Sequence, residues 1–256
     1  MLISGSELIY QTTDQYGKIE VIDYQQKIRS LHFGNKTQQS AMQLGNPFLL
    51  IHKYTQAMML PTYWIYPKNV LVLGLGAGSI VKYLYNYFQD TCIDAVELRK
   101  KVIDIASKYF LLPDQDERLN IYNKSINEWI NDPQRDKHKK YDLIIIDMFL
   151  TSKDGDDIEI DITQSLNEIY ELLSESGVAA FNHLGTGVYN TYTAYNAIKQ
   201  LFYSNLYNIN IDSVNNVLLA MRSPASLKID LHCLHEYESK YMLPYSQYIK
   251  QLNKVF

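Results

Sequence analysis

The chain has 256 residues, 46% of them hydrophobic and 20% charged, and a formal net charge of −4. That length predicts one large domain, or one with a small appendage, able to bury a core unaided. The negative balance argues against a nucleic-acid partner, and no run approaches the ~20 apolar residues of a membrane span.

The two cysteines, Cys92 and Cys233, are too few for a disulfide framework and lack metal-like spacing. Tyrosine is abundant, with 22 copies scattered without a repeat. The first residues lack the basic start and apolar stretch of a signal peptide, so the expectation is a cytoplasmic protein.

The N-terminal stretch is extended. Residues 7–11, 18–23 and 27–33 are short β-prone runs, and the last two alternate in polarity. The polar Asp23-Tyr-Gln-Gln between them predicts a hairpin with one wet face, closed by Gly34-Asn35. Residues 48–60 carry apolar side chains near helical spacing and predict a helix, after which Pro61 and Pro67 punctuate the chain.

From residue 69 the rhythm is strand, helix, strand, helix. Strands are predicted at 70–73, 92–97, 119–122, 141–146 and 177–181. Helices are predicted at 79–87, 100–109, 125–131, 162–173 and 190–203. Residues 207–211 and 216–220 predict a closing antiparallel pair. Alternation of this kind implies a mainly parallel sheet wrapped by helices, with ligands at the carboxyl ends of its strands.

One turn stands out. Gly74, Gly76 and Gly78 follow the strand 70–73 and precede a helix, where main-chain N–H groups can meet a ligand. Glu97 ends the next strand, and a carboxylate there can accept both hydroxyl protons of a ribose. The bland alternative is a plain strand–helix turn beside a solvated Glu. The glycine spacing is tighter than in dinucleotide sites and disfavours NAD.

Further segments join this turn: Gln39-Ser-Ala-Met42, Lys68 to Gly78, Ala95-Val-Glu-Leu98, Pro113, Arg118-Leu119, Tyr141 to Asp147, and Gly177-Val178. Their order and spacing are similar to the spermidine/spermine synthase family, the polyamine aminopropyltransferases, over residues 16–182. The resemblance implies an α/β, Rossmann-like methyltransferase fold with a mostly parallel seven-stranded sheet. Residues 1–45 would form a small N-terminal β-hairpin domain and residues 46–256 the methyltransferase-like domain. It also implies a cytoplasmic homodimeric transferase acting on a small-molecule amine. Its co-substrate would be decarboxylated S-adenosylmethionine or S-adenosylmethionine, with no metal.

Carried over by residue, the resemblance has Glu97 hold the ribose hydroxyls while the turn Gly74, Gly76, Gly78 passes under the ligand. Gln39 borders the nucleotide. Ser125, or its neighbour Asn127, stands where an acid contacts the adenine amine. Asp147 takes a proton from the attacking amine, and Tyr54 is what remains of a Tyr-His-Glu segment on the acceptor side. Asp154, in the acidic run 154–161, would attract a polyamine; otherwise that run is a solvated face with Asp161 as a helix cap. Departures in the glycine turn and in the catalytic segment point away from putrescine as acceptor. Ala77 replaces an acid of the glycine turn, Leu150 replaces the second catalytic acid, and Met148-Phe149-Leu150-Thr151 replaces the family's Ser-Ser-Asp-Pro. Methyl transfer is an alternative, against which Val72 stands where methyltransferases often carry an acid. A non-catalytic nucleotide-binding protein is the other. His183 reads either as a hydrogen-bonded strand-end residue or as a pocket acid or base beside Asn182.

Overall fold

Four antiparallel strands open the chain: β1 (Ser6–Asp14), β2 (Gly17–Tyr24), β3 (Ile28–His32) and β4 (Ser40–Gln43), paired in that order. The computed structural model describes residues 5–35, 37–151, 157–159, 162–184, 189–212, 215–224 and 227–255. The expected hairpin is thus the centre of a larger sheet. Asp23 lies within β2 rather than in the turn, because Arg29 stands directly opposite and binds both its carboxylate oxygens at 2.8 Å. The chain reverses instead at Gln25 and Gln26, whose φ angles of 49° and 53° are left-handed.

The helix predicted over 48–60 is shorter. It divides into α1 (Lys53–Met58) and a 3-10 turn at Leu60–Tyr63. The Gln56 side-chain amide donates to the Leu50 carbonyl at 2.7 Å, a carbonyl that a longer helix would have used internally.

The rest alternates largely as expected: β5 (Asn69–Leu73), α2 (Ser79–Tyr87), β6 (Cys92–Glu97), α3 (Lys100–Phe110), β7 (Leu119–Asn123), α4 (Ile126–Ile130) and β8 (Tyr141–Ile146). A small ribbon, β9 (Phe149–Thr151) with β10 (Asp157–Glu159), interrupts the pattern. Then come α5 (Leu166–Leu172), β11 (Leu173–Leu184), α6 (Tyr189–Phe202), β12 (Leu206–Ile211), β13 (Asn215–Met221), α7 (Leu231–Tyr241), α8 (Tyr245–Gln251) and β14 (Asn253–Lys254). The sheet order is β14-β12-β13-β11-β8-β5-β6-β7, with β11 through β7 parallel. It has eight strands rather than seven, because the two-residue β14 pairs with the edge of β12. Among the described residues, no helix is long and apolar enough to cross a membrane.

Strand alternation feeds two cores. Val70, Val72, Leu143, Ile145, Val178 and Ala180 face α1, α2, α7 and α8, whereas Leu71, Leu73, Ile144, Ile146, Ala179 and Phe181 face α5 and α6. A third core joins the sheets: Ile19, Val21, Leu31 and Met42 pack on Ala77, Val102, Ile105 and Phe110. Many of the tyrosines serve the first core as apolar bodies with a polar handle. Tyr83 donates to the Tyr241 carbonyl at 2.8 Å, and Tyr248 donates to Gln56 at the same distance. The helices α7 and α8 carrying Tyr241 and Tyr248 were not among the predicted elements.

Lys82 is buried in α2, with its ammonium on the Phe110 carbonyl at 2.7 Å, and burial lowers its pKa to about 8. Keeping it charged costs about 3 kcal/mol relative to the unfolded chain. Below pH 8 both states hold the proton and the cost is complete; from there to about 10.5 the folded state loses its proton first and the cost fades. Lys82→Met is therefore expected to stabilise the protein by roughly 2 kcal/mol at pH 7, after losing the carbonyl contact. That advantage should shrink when urea unfolding is repeated at pH 9.5. A pH-independent gap would contradict this account.

Candidate active site

β5 sits between β6 and β8, and the chain crosses from β7 over to β8, so the sheet order reverses beside β5. In open α/β sheets such a switch point leaves a crevice at the carboxyl ends of the strands. A cavity of about 220 Å³ lies there, its wall including Gln39, Ser40, Tyr54, Gly74, Gly76, Glu97, Ser125 and Asp147.

Gly74 has φ +91°, and a Cβ on it would lie 2.0 Å from the Asp147 carbonyl oxygen. Glycine at this position lets the ends of β5 and β8 close on each other. Gly76, at φ +53°, would place a Cβ 2.5 Å from Ser40 Oγ, which accepts the Ala77 N–H at 3.0 Å. The turn is thus shaped first by protein atoms, one of them from the N-terminal sheet. Gly78 is the N-cap residue just ahead of α2 and lies outside the cavity wall. Ala77 is fully buried in the joint between the sheets.

Glu97, at the end of β6, is only 9% exposed. Its two oxygens accept the Leu75 N–H at 3.0 Å and the Arg99 N–H at 2.8 Å. Burial pushes its carboxyl above the usual range, while these N–H bonds and the Arg99 charge oppose the shift. The Gly76 N–H also bonds the carboxylate, and the acceptor capacity that remains is available to a ligand in the cavity. Arg99 is buried too, holding Asp14 of β1 through Nε at 3.0 Å and Nη2 at 2.9 Å, with Phe33 against its plane.

Asp147 follows β8. Asn182 Nδ2 donates to its Oδ1 at 2.8 Å, and the Tyr54 hydroxyl also hydrogen-bonds the carboxylate. Burial outweighs both donors and raises the pKa to about 6. Tyr54 also reaches the Gln39 carbonyl, at 3.5 Å.

Ser125 is in the wall, but its side chain is engaged as the cap of α4. Its hydroxyl donates to Glu128 at 2.8 Å and accepts the Glu128 N–H at 3.2 Å, a capping box. Asp154 lies outside the described residues. His183 stacks on Tyr195 with ring centroids 5.7 Å apart and is not in the wall. Local sequence pattern does not mark Ser40, Arg99 or His52 as site residues. Ser40 lies within the segment Gln39 to Met42 and Arg99 two residues beyond Glu97, but neither long-range contact has a local signature. His52 Nε2 and Arg99 Nη1 are buried without a hydrogen-bond partner among the described residues, and both residues line the cavity. Orphaned buried groups in a cavity wall suit a polar ligand.

No family model matches the chain. Polyamine aminopropyltransferases of Chromobacterium violaceum, Neisseria meningitidis and Vibrio vulnificus are 39%, 35% and 30% identical to it over 95, 136 and 165 residues. These stretches cover 37%, 51% and 60% of this chain and 36%, 48% and 50% of the relatives. The chain therefore spans half or less of the length of these curated relatives. A spermidine synthase from Thermotoga maritima superposes with TM-score 0.68 at 16% identity, covering 95% of this chain and 83% of that one. Human methyltransferase-like protein 13, in complex with SAH, superposes with TM-score 0.57 at 21% identity, covering 75% and 89%. These likenesses establish the Rossmann-like α/β fold.

Proposed function

We propose that this chain, a spermidine-synthase-like relative of the polyamine aminopropyltransferases, binds an S-adenosylmethionine-type nucleotide and transfers an aminopropyl group to a small amine. The observation that carries this reading is the pair Glu97 and Asp147 in one cavity at the switch point of the sheet. Glu97 is fixed by the main-chain N–H groups of Leu75, Gly76 and Arg99, and Asp147 is held near pKa 6.

In this reading Glu97 accepts the ribose hydroxyls with its remaining lone pairs. Gly74 and Gly76 pass beneath the ligand, Gln39 borders it, and Ser125 and Asn127 flank the base. Asp147, with Tyr54 and His52 in the same wall, faces the reacting carbon, and Asp154 draws in the amine. The bound sulfonium supplies an activated leaving group. The amine lone pair forms the new C–N bond as the C–S pair returns to sulfur, leaving methylthioadenosine. The proton released from nitrogen passes to Asp147, which is mostly ionised at pH 7 and close enough in pKa to accept it. Much of the rate then comes from holding the two reactants in line. The reading includes residues 1–45 as a small β domain beside residues 46–256, a homodimeric assembly and a cytoplasmic setting.

A second reading, methyl transfer, draws support from Ala77 and Ser125. Ala77 is buried away from the cavity and the Ser125 hydroxyl is engaged by Glu128, so beyond Glu97, assigned above to the ribose, the described wall adds no carboxylate to Asp147 for an aminopropyl ammonium. Calorimetric titration with S-adenosylmethionine, its decarboxylated form and methylthioadenosine separates the readings. Tight binding of the last two supports aminopropyl transfer. Preference for S-adenosylmethionine moves the reading to methyl transfer. Binding of none of the three sinks both and leaves a non-catalytic protein.

A further inference from the structure

Three polar side chains stand in a row across three neighbouring strands. Ile146 of β8 lies beside Phe181 of β11, so Asp147 and Asn182 follow side by side. Leu184 of β11 lies opposite Asn215 of β13, and Asn182 opposite Val217. By strand parity Asp147, Asn182 and Asn215 share the face of Ile145, Ala180 and Val217, the face toward α1. The contacts follow that register. Asn182 Nδ2 donates to Asp147 Oδ1 at 2.8 Å, and Asn215 Nδ2 donates to Asn182 Oδ1 at 2.8 Å. Asn182 is 4% exposed and stands behind the cavity wall rather than in it.

We propose that Asn182 and Asn215 are positioning residues, a two-amide relay that locks Oδ1 of Asp147 in place beside the cavity. The inference rests on the role given above to Asp147. A buried primary amide beside a carboxylate has two orientations: with Nδ2 toward it the pair attracts, and with Oδ1 toward it the pair repels. The Asp147 carboxylate, an acceptor only, favours the first, and Asn215 reinforces that choice by donating to the Asn182 oxygen. The second amide therefore acts on the carboxylate without touching it.

The groups around Asp147 leave this relay a distinct signature. The Tyr54 hydroxyl from α1 is its other donor, and His52, Glu97, Arg99 and Lys124 line the same cavity. Burial raises the carboxyl, and the Asn182 contact opposes that rise. Breaking the relay should move the titration further up. A change that merely loosened packing would admit water and move it down, toward the ordinary carboxylate range.

The test needs no ligand. The carboxyl carbon of Asp147, assigned by its absence in Asp147→Asn, is titrated by ¹³C NMR in the wild type, Asn182→Leu, Asn215→Leu and Asn215→Ser. The expected result is a midpoint raised by about one pH unit in Asn182→Leu and by roughly half a unit in each Asn215 variant. The smaller Asn215→Ser, at a partly exposed position, keeps the test open should the leucine variant not fold. Folded Asn215 variants that titrate like the wild type would overturn the relay, as would a midpoint that falls. Nucleotide binding, followed separately by calorimetry, bears on the proposed function and leaves the titration untouched.

Discussion

Asp147→Asn is expected to lower turnover sharply and, at the same time, to make the protein more stable at pH 7. Asp147 has its carboxyl raised to about 6 from 3.8, chiefly by burial. Between these two values the folded state holds the proton and the unfolded state does not. Ionisation above pH 6 therefore destabilises the fold, by up to about 3 kcal/mol. Water reaching the carboxylate from the cavity reduces this, and about 2 kcal/mol is the expected gain for the amide at pH 7. As pH falls through 6 the wild type takes up its proton and the gap narrows, closing near pH 4. Turnover should drop by about 100-fold or more, the ordinary contribution of a positioned base. Thermal or urea unfolding at pH 7.5 and pH 4.5, beside an aminopropyl-transfer assay, measures both. An amide variant less stable than wild type at pH 7.5 would count against the burial argument; undiminished turnover would remove Asp147 from the chemistry.

The largest loss of nucleotide affinity is expected from Glu97→Gln. The carboxylate already accepts from Leu75 and Arg99, so it presents acceptors on both oxygens. An amide replaces one acceptor with a donor, which then faces a main-chain N–H or fails to receive a ribose hydroxyl. Hydrogen bonds to a charged group contribute about 1.5–3 kcal/mol each, so losing their charge and one acceptor should weaken binding by about 100-fold or more. A stability loss of about 1–3 kcal/mol should accompany it, from the buried N–H left without an acceptor. Calorimetry and urea unfolding on one preparation separate the two effects. Binding within threefold of wild type would remove Glu97 from the ribose site.

What the sequence revealed is what local pattern controls. The runs ending at Leu73, Glu97 and Ile146 are apolar, short and bounded by turn residues, so their strands could be read almost to the residue. Gly74 was legible as a turn, but the reason for it was not. The atom that forbids a side chain there is the carbonyl of Asp147, far along the chain, and sequence spacing carries no trace of that contact. Ser125 shows the reverse limit. Its place beside the cavity was readable, yet Glu128 three residues on makes a capping box with it, and that engagement follows from local helix chemistry. Helices α7 and α8 have no clean period because tyrosines meeting distant partners hold them, and the two-residue β14 exists only through its pairing with β12, so local pattern marks none of the three.

Arg99 joins two things that a diagram of the fold would draw apart. Its main-chain N–H holds the carboxylate of Glu97, while its guanidinium grips Asp14 near the tip of the β1–β2 hairpin and donates to the Gly17 carbonyl at 3.1 Å. Whatever tightens one end of this residue favours order at the other. Occupancy of the cavity and seating of the hairpin are thus reciprocal quantities: a ligand that prefers the seated hairpin must, by the same free energy, be held more firmly when the hairpin is seated.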